Sequence, residues 1–307
     1  MSLVPASLQA AAARGEDWAA WLDRLPRLAA DLLAEWELTV DDDPMSGYCS
    51  VVLPVCGADG DAGVLKVTFD GDEESLHEPL ALQRWHGDGV VRLLRADPRR
   101  RAMLLERLGP EDLSERWDLE ACEIVAGLYA RLHVPALPQL RTLASYVERW
   151  TAPLADLPRD APIPHRLVEQ TRSLVPDLLA DTSDLRIVHG DLHYANVLAG
   201  EREPWLVIDP KPMAGDPHYE PAPMLWNRWD ELVAGYDGVR DGVRRRFHTL
   251  VDAAGLDESR ARDWVVVRMV LNAHWAIEDA ARQHRPLTAA EQDWITRCVT
   301  LAKAVQE

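Results

Sequence analysis

The sequence predicts an α+β fold in two lobes, a small antiparallel sheet with one inserted helix followed by a mainly helical body. Three observations predict it. Short β-type runs separated by turn residues fill residues 36–69. Apolar residues recur at helical spacing from about Leu108 onward. A brief return to β-type sequence between Leu185 and Ile208 interrupts those helices and carries most of the polar motifs.

Taken in order, Trp18, Trp21, Leu22, Leu25, Leu28, Leu32 and Leu33 describe one helical stripe, with Pro26 as a kink. Trp36 to Val40 reads as a first strand, and Ser46-Gly47-Tyr48 as the turn into a second at Ser50 to Val55. Asp59-Gly60-Asp61 is a tight-turn signal leading to a third strand, Gly63 to Phe69. An acidic start at Asp72, Glu73 and Glu74 opens a helix that ends near Trp85. Strands at Val90–Leu94 and Ala102–Glu106 complete this part. The boundary is therefore placed after residue 107, giving a β-rich lobe over 1–107 and a helical lobe over 108–307. In the second lobe, 119–132, 143–154 and 165–179 are helical by period, and 261–281 is the longest such run.

Composition narrows the function. With 307 residues and 47% hydrophobic content the chain can bury a sizeable core. No apolar stretch approaches a membrane span, and the N-terminus lacks the pattern of a secretory signal, so a cytoplasmic protein is expected. Cys49, Cys56, Cys122 and Cys298 show no metal-type spacing, and free thiols are expected. A net charge of −18 repels nucleic acid and attracts cationic small molecules. The oligomeric state has no signature, and a monomer is the default expectation. Only three of the 33 basic residues are lysines, Lys66, Lys211 and Lys303, so each lysine is informative.

The chemistry lies in His189-Gly190-Asp191-Leu192-His193-Tyr194-Ala195-Asn196, with Ile208-Asp209-Pro210 following. Phosphoryl transfer needs positioned phosphates, metal to neutralise charge, and a group that orients the attacking hydroxyl. The protein-kinase solution is H-x-D-x-x-x-x-N plus a later metal-binding Asp. On that pattern Asp191 accepts the hydroxyl proton, while Asn196 and Asp209 hold Mg2+. The pattern also demands a lysine on the third strand, which is Lys66, and an acidic partner on the next helix. Glu78 is that partner although Pro79 disfavours a helical conformation there; Glu74, one turn earlier, is the alternative. The Met45 to Ser50 turn could meet phosphate through Ser46 and backbone amides, or could be a plain hairpin turn. The segment around Glu106 and Leu108 would offer main-chain groups to a nucleotide base. Two other readings stay open for the 189–196 segment: a solvated hairpin, and a metallohydrolase with His189, Asp191 and His193 as ligands.

These residues also carry a resemblance. Met45-Ser46-Gly47-Tyr48, Val64-Leu65-Lys66-Val67, His77-Glu78-Pro79, Leu104 to Leu108, His189 to Leu198, Glu203 to Pro212 and Gly215-Asp216-Pro217 resemble the aminoglycoside phosphotransferase superfamily, and within it the streptomycin 6-kinase and hydroxyurea kinase branch. The resemblance implies a protein-kinase-like fold and ATP-dependent phosphorylation of a small-molecule hydroxyl. Streptomycin at its 6-hydroxyl is the first expectation; hydroxyurea or a sugar is the alternative. A catalytically silent nucleotide-binding relative is disfavoured, since Lys66, Asp191, Asn196 and Asp209 are all intact. Many relatives have an Asp after Gly-Asp-Pro-x-x where this chain has Glu220.

A guanidino-bearing acceptor calls for carboxylates and flat aromatic faces. Two segments supply them: Trp226 with Asp230 and Glu231, and Asn272, Trp275, Glu278 and Asp279, where Asn272, Trp275 and Asp279 share a helical face. With Glu220 they form the expected substrate wall. The alternative is that the tryptophans are core and the acids solvated.

Overall fold

The computed structural model describes residues 3–180 and 183–306. Its contacts divide the chain into two compact units, Met1–Pro110 with Leu198–Lys211, and Glu111–Val197 with Pro212–Glu307. This corrects the single boundary expected after residue 107. The segment 198–211 joins the first unit because its backbone bonds there. The Val91 N–H donates to the Val207 carbonyl (2.9 Å), Val207 N–H to Gly89 (2.9 Å), and Gly109 N–H to Ala199 (2.8 Å).

In the first unit, α1 (Ala6–Gln9) and α2 (Glu16–Glu35) precede β1 (Leu38–Val40), β2 (Met45–Ser46), β3 (Ser50–Gly57) and β4 (Ala62–Thr68). Then come α3 (Glu78–Trp85), β5 (Leu93–Asp97) and β6 (Ala102–Glu106). The sheet is antiparallel in the order β1-β3-β4-β6-β5, with β2 paired to β3. Gly60, at φ 85°, makes the β3–β4 turn in a conformation glycine adopts without strain. The strand expected from Val90 starts later, at Leu93, because Val90 and Val91 pair with Val207 instead.

Strand periodicity then sorts the two faces of β4. Val51, Leu53 and Val55 of β3 and Leu65 and Val67 of β4 are fully buried in one core with Trp21, Leu25, Ala29 and Leu32 of α2. Trp18 extends the same stripe and stacks on Phe69 at 4.1 Å between ring centres. The helix α2 continues through Pro26, which lies on its exposed side. Lys66 takes the alternate position in β4, so it leaves the α2 core and faces the other way.

The second unit contains α4 (Asp118–Leu132), α5 (Leu143–Thr151), α6 (His165–Ala180), α7 (Ala222–Trp226), α8 (Trp229–Ala234), α9 (Val239–Ala254), α10 (Glu258–Arg282) and α11 (Ala289–Ala304). Val265, Val266 and Val267 are all fully buried, so the 25-residue α10 is enclosed on every side at this turn, while Trp275 further along is exposed. Strand Arg186–Val188 pairs with Met213–Gly215. The turn after that strand is tied to α10 through Asp216, which accepts from Trp264 Nε1 at 2.6 Å and Arg260 Nε at 2.5 Å. No helix among the described residues is long and apolar enough to cross a membrane. All four cysteines are free thiols, Cys122 and Cys298 buried and Cys49 and Cys56 partly exposed.

Candidate active site

Four charged side chains of the first unit converge on one point. Lys66 Nζ lies 2.7 Å from both carboxylate oxygens of Glu78 and 2.5 Å from Asp209 Oδ1. Lys211 Nζ lies 3.2 and 3.3 Å from the two oxygens of Asp209. Burial alone would lower the affinity of Lys66 for its proton, but Asp209 and Glu78 outweigh it and hold the ammonium above its ordinary value. Burial likewise works against the Asp209 carboxylate, and Lys66 and Lys211 reverse it, holding Asp209 well below the usual carboxylate range. The choice left open between Glu78 and Glu74 is thus resolved. Helix α3 begins at Glu78 itself, with Pro79 in the opening turn where its missing N–H costs nothing, while Glu74 is exposed.

Asp209 is held at φ 54°, a left-handed conformation uncommon outside glycine that aspartate and asparagine tolerate better than other residues. The following Pro210 normally pushes its predecessor to extended backbone. Both preferences are overridden where the carboxylate meets the two lysines.

In the second unit the 189–196 segment is fastened at several points. Gly190 takes φ 82°, open to glycine alone without strain, and swings the chain so that Asp191 follows the buried His189. Asn196 Nδ2 donates to the Asp191 carbonyl at 2.8 Å and lies 3.3 Å from His193 Nε2. Tyr194 O–H donates to Asp118 at 2.5 Å, and Asp118 also accepts from Arg246 Nε (2.6 Å) and Tyr236 O–H (2.7 Å). Burial pushes the Asp118 carboxyl up, but Arg246 and the hydroxyls keep it below its ordinary value. A solvated hairpin would not carry such a buried brace.

The donors suit magnesium. In the second unit Asn196, its nitrogen committed, has its amide oxygen left as a ligand; in the first unit Asp209 offers a carboxylate. Magnesium binds through one or two such oxygens together with phosphates and waters. Among the described residues, no three His, Cys, Asp or Glu side chains gather to hold a metal by themselves. The metallohydrolase reading therefore fails, and His189 Nδ1 instead accepts the Asp191 N–H at 3.2 Å.

Glu220 requires a correction. It is fully buried, so it forms no substrate wall. Its Oε1 accepts from the His189 and Gly190 N–H groups, the latter at 3.3 Å, and so supports the backbone just ahead of Asp191. Arg268 donates to the Gly190 carbonyl from the same side. Burial pushes the Glu220 carboxyl up to about 7, against the pull of Arg268 and the two N–H groups. The folded chain therefore keeps a proton on Glu220 that the unfolded chain releases above its ordinary value of 4.5. Stability from this group falls as pH rises through that window, by roughly 3 kcal/mol in total. Glu220→Gln keeps an acceptor oxygen but cannot ionise. Its stability relative to the native chain should rise between pH 5 and pH 8 in denaturant unfolding; an equal difference at both pH values would refute the assignment.

The remaining expected residues scatter. Ser46 lies on the exposed hairpin, its Oγ 2.8 Å from that of Ser7. Glu106 ends β6 with its carboxylate bound to Arg202 (2.7 Å) and to the Arg92 N–H (3.0 Å), and Leu108 is half-buried just beyond. One face of Trp226 is covered by Arg268, whose guanidinium lies 5.0 Å from the ring centre, and Trp294 meets it edge-on at 6.1 Å. Trp226 is itself partly exposed. Glu231 is engaged with Arg228 at 2.5 Å, and Asp279 with Gln283 at 2.8 Å and Arg285 at 3.6 Å. Asp230 and Trp275 are exposed, and Glu278 is partly buried, 3.8 Å from His274 Nδ1. The sequence reading missed the bracing roles of Asp118, Arg246 and Arg268, for which no local signal exists. It also missed Lys211, whose rarity was a signal.

Residues 35–280 match the family model of the aminoglycoside/hydroxyurea antibiotic resistance kinases. The chain is 44% identical to a streptomycin 6-kinase of Streptomyces glaucescens, over 99% of this chain and 97% of that protein. It is 40% identical to a hydroxyurea phosphotransferase of Kitasatospora aureofaciens, over 94% of this chain and 84% of that protein. Among solved structures, it resembles a choline/ethanolamine kinase family protein from Mesorhizobium loti with a TM-score of 0.63. That match covers 91% of this chain and 95% of the other at 13% identity, a likeness of fold alone.

Proposed function

The chain belongs to the aminoglycoside/hydroxyurea antibiotic resistance kinase family, and we propose that it transfers the γ-phosphoryl group of ATP to the 6-hydroxyl of streptomycin. The observation that carries the reading is Lys66, buried between Glu78 and Asp209. Burying an ion pair is a poor way to gain stability, because desolvation cancels most of the attraction. Such a lysine is better explained by a polyphosphate it has to bind. The acceptor follows from the streptomycin 6-kinase with which the chain shares 44% of its residues.

In this reading Glu78 aims Lys66 at the nucleotide phosphates. Ser46 and the backbone of its turn lie over them, and main-chain groups near Glu106 and Leu108 face the base. Asp209 and Asn196 hold Mg2+, which when bound neutralises charge on the phosphates. Asp191 takes the proton of the acceptor hydroxyl as its oxygen bonds to the γ-phosphorus and the bond to ADP breaks. Asp230, Trp275 and Glu278 meet the cationic acceptor. The working unit is a monomer in the cytoplasm, where ATP is available.

The 40% identity to a hydroxyurea phosphotransferase supports hydroxyurea as a second reading. ATP consumption measured with each compound separates them, and phosphorus NMR of the product locates the new ester. Streptomycin-dependent turnover with a 6-phosphate is expected. Turnover with hydroxyurea alone would favour the second reading, and turnover with neither would end both.

A further inference from the structure

Two of the chain's three lysines meet at one carboxylate. Lys66 has a second partner, since Glu78 offers it both oxygens at 2.7 Å. Lys211 has Asp209 as its hydrogen-bonded carboxylate, and Glu78 and Asp72 reach it only through space. The Lys211 side chain is only 20% exposed, so its charge is poorly compensated by water.

The backbone brings Lys211 back onto the carboxylate of Asp209. Asp209 takes φ 54°, and Pro210 then fixes the path that returns Lys211 to the carboxylate. The basic positions of this chain are otherwise almost all arginine, so an ammonium here is a departure from its habit. An ammonium is a compact point charge with three rotatable donors, suited to a phosphate chain whose oxygens move during reaction.

We propose that Lys211 is a second phosphate-binding cation of this enzyme. Its ammonium braces Asp209 and, when a nucleotide is bound, also donates to the phosphate oxygens. The proposal rests on the kinase reading of the site. It has two consequences, the first of which a merely structural lysine lacks. Lys211 contributes to the affinity for ATP even without metal, and it competes with a divalent cation for Asp209 when no nucleotide is there.

The test uses the full chain, with Lys211→Met and Lys211→Arg. Calorimetry with ATP in the presence of a chelator should find Lys211→Met roughly tenfold weaker, the effect of one charge-assisted hydrogen bond. Lys211→Arg should fall between the native chain and Lys211→Met, and adenosine should bind all three proteins alike. Electron paramagnetic resonance with Mn2+ and no nucleotide should find Lys211→Met binding the metal more tightly than the native chain. Native affinity of Lys211→Met for ATP, with native ATP binding intact, overturns this proposal alone. A loss shared equally by ATP and adenosine also overturns it, because it marks a structural role. A native chain that binds ATP under no condition overturns the kinase reading itself. Should Lys211→Met fail to fold, Lys211→Gln takes its place under the same criteria.

Discussion

Asp191→Ala is expected to lower turnover by roughly 10²–10⁴-fold, the range for loss of a positioned general base, with the fold intact. The second half of that expectation comes from how the loop is held. Its path depends on the Gly190 conformation, on Glu220 and Arg268 below it, and on Tyr194 fastened to Asp118. Asn196 is fixed to the Asp191 carbonyl, which alanine retains. The Asp191 carboxylate is 35% exposed and can be removed without emptying a core position. Steady-state kcat with the acceptor, beside a thermal unfolding curve, reads both halves. Unchanged turnover would remove Asp191 from the base role, and a large drop in the unfolding midpoint would make it a structural residue.

Removing the charge of Asp209 should abolish the magnesium dependence of ATP binding. Two ammoniums then face each other with Glu78 bound to one of them and Asp72 acting on the other through space, and the carboxylate ligand is gone. The choice of substitution matters because Asp209 sits at φ 54°. Alanine is strained there, whereas asparagine tolerates the left-handed region, so Asp209→Asn isolates the charge from the backbone. Calorimetry with and without Mg2+ should give the same ATP affinity for Asp209→Asn, while the native chain gains from the metal. A native-like gain would refute the metal role and with it the assignment of this end of the motif.

Much of this site is legible because it is written in short-range spacing. The separation of Asp191 from Asn196 is a covalent fact, and the loop it describes is the one observed. Lys66 was identifiable because a lysine in an apolar strand is out of place and strand periodicity turns it away from the α2 core. Glu78 was harder. The rule against helix before proline is sound for helix interiors, but α3 starts at Glu78, and a start is where proline is harmless. The substrate wall was poorly legible. Glu220 has the chemistry of a cation site, yet it is sealed beneath the backbone of His189 and Gly190.

The sequence by itself determined the meander and its turns, the helical character of most of the rest, the loop from His189 to Asn196, and the lysine opposite Asp209. Each of these depends on residues close in the chain, or on a period that one element imposes on itself. Tertiary structure decided where segment 198–211 belongs, that Asp118 and Arg246 clasp Tyr194, that Glu220 supports the loop from below, and that Lys211 shares Asp209 with Lys66. These are choices of partner between charged or polar groups far apart in the chain. A carboxylate's spacing within its own helix or loop is the same whether it meets water, an arginine or a backbone N–H, and only packing selects among them.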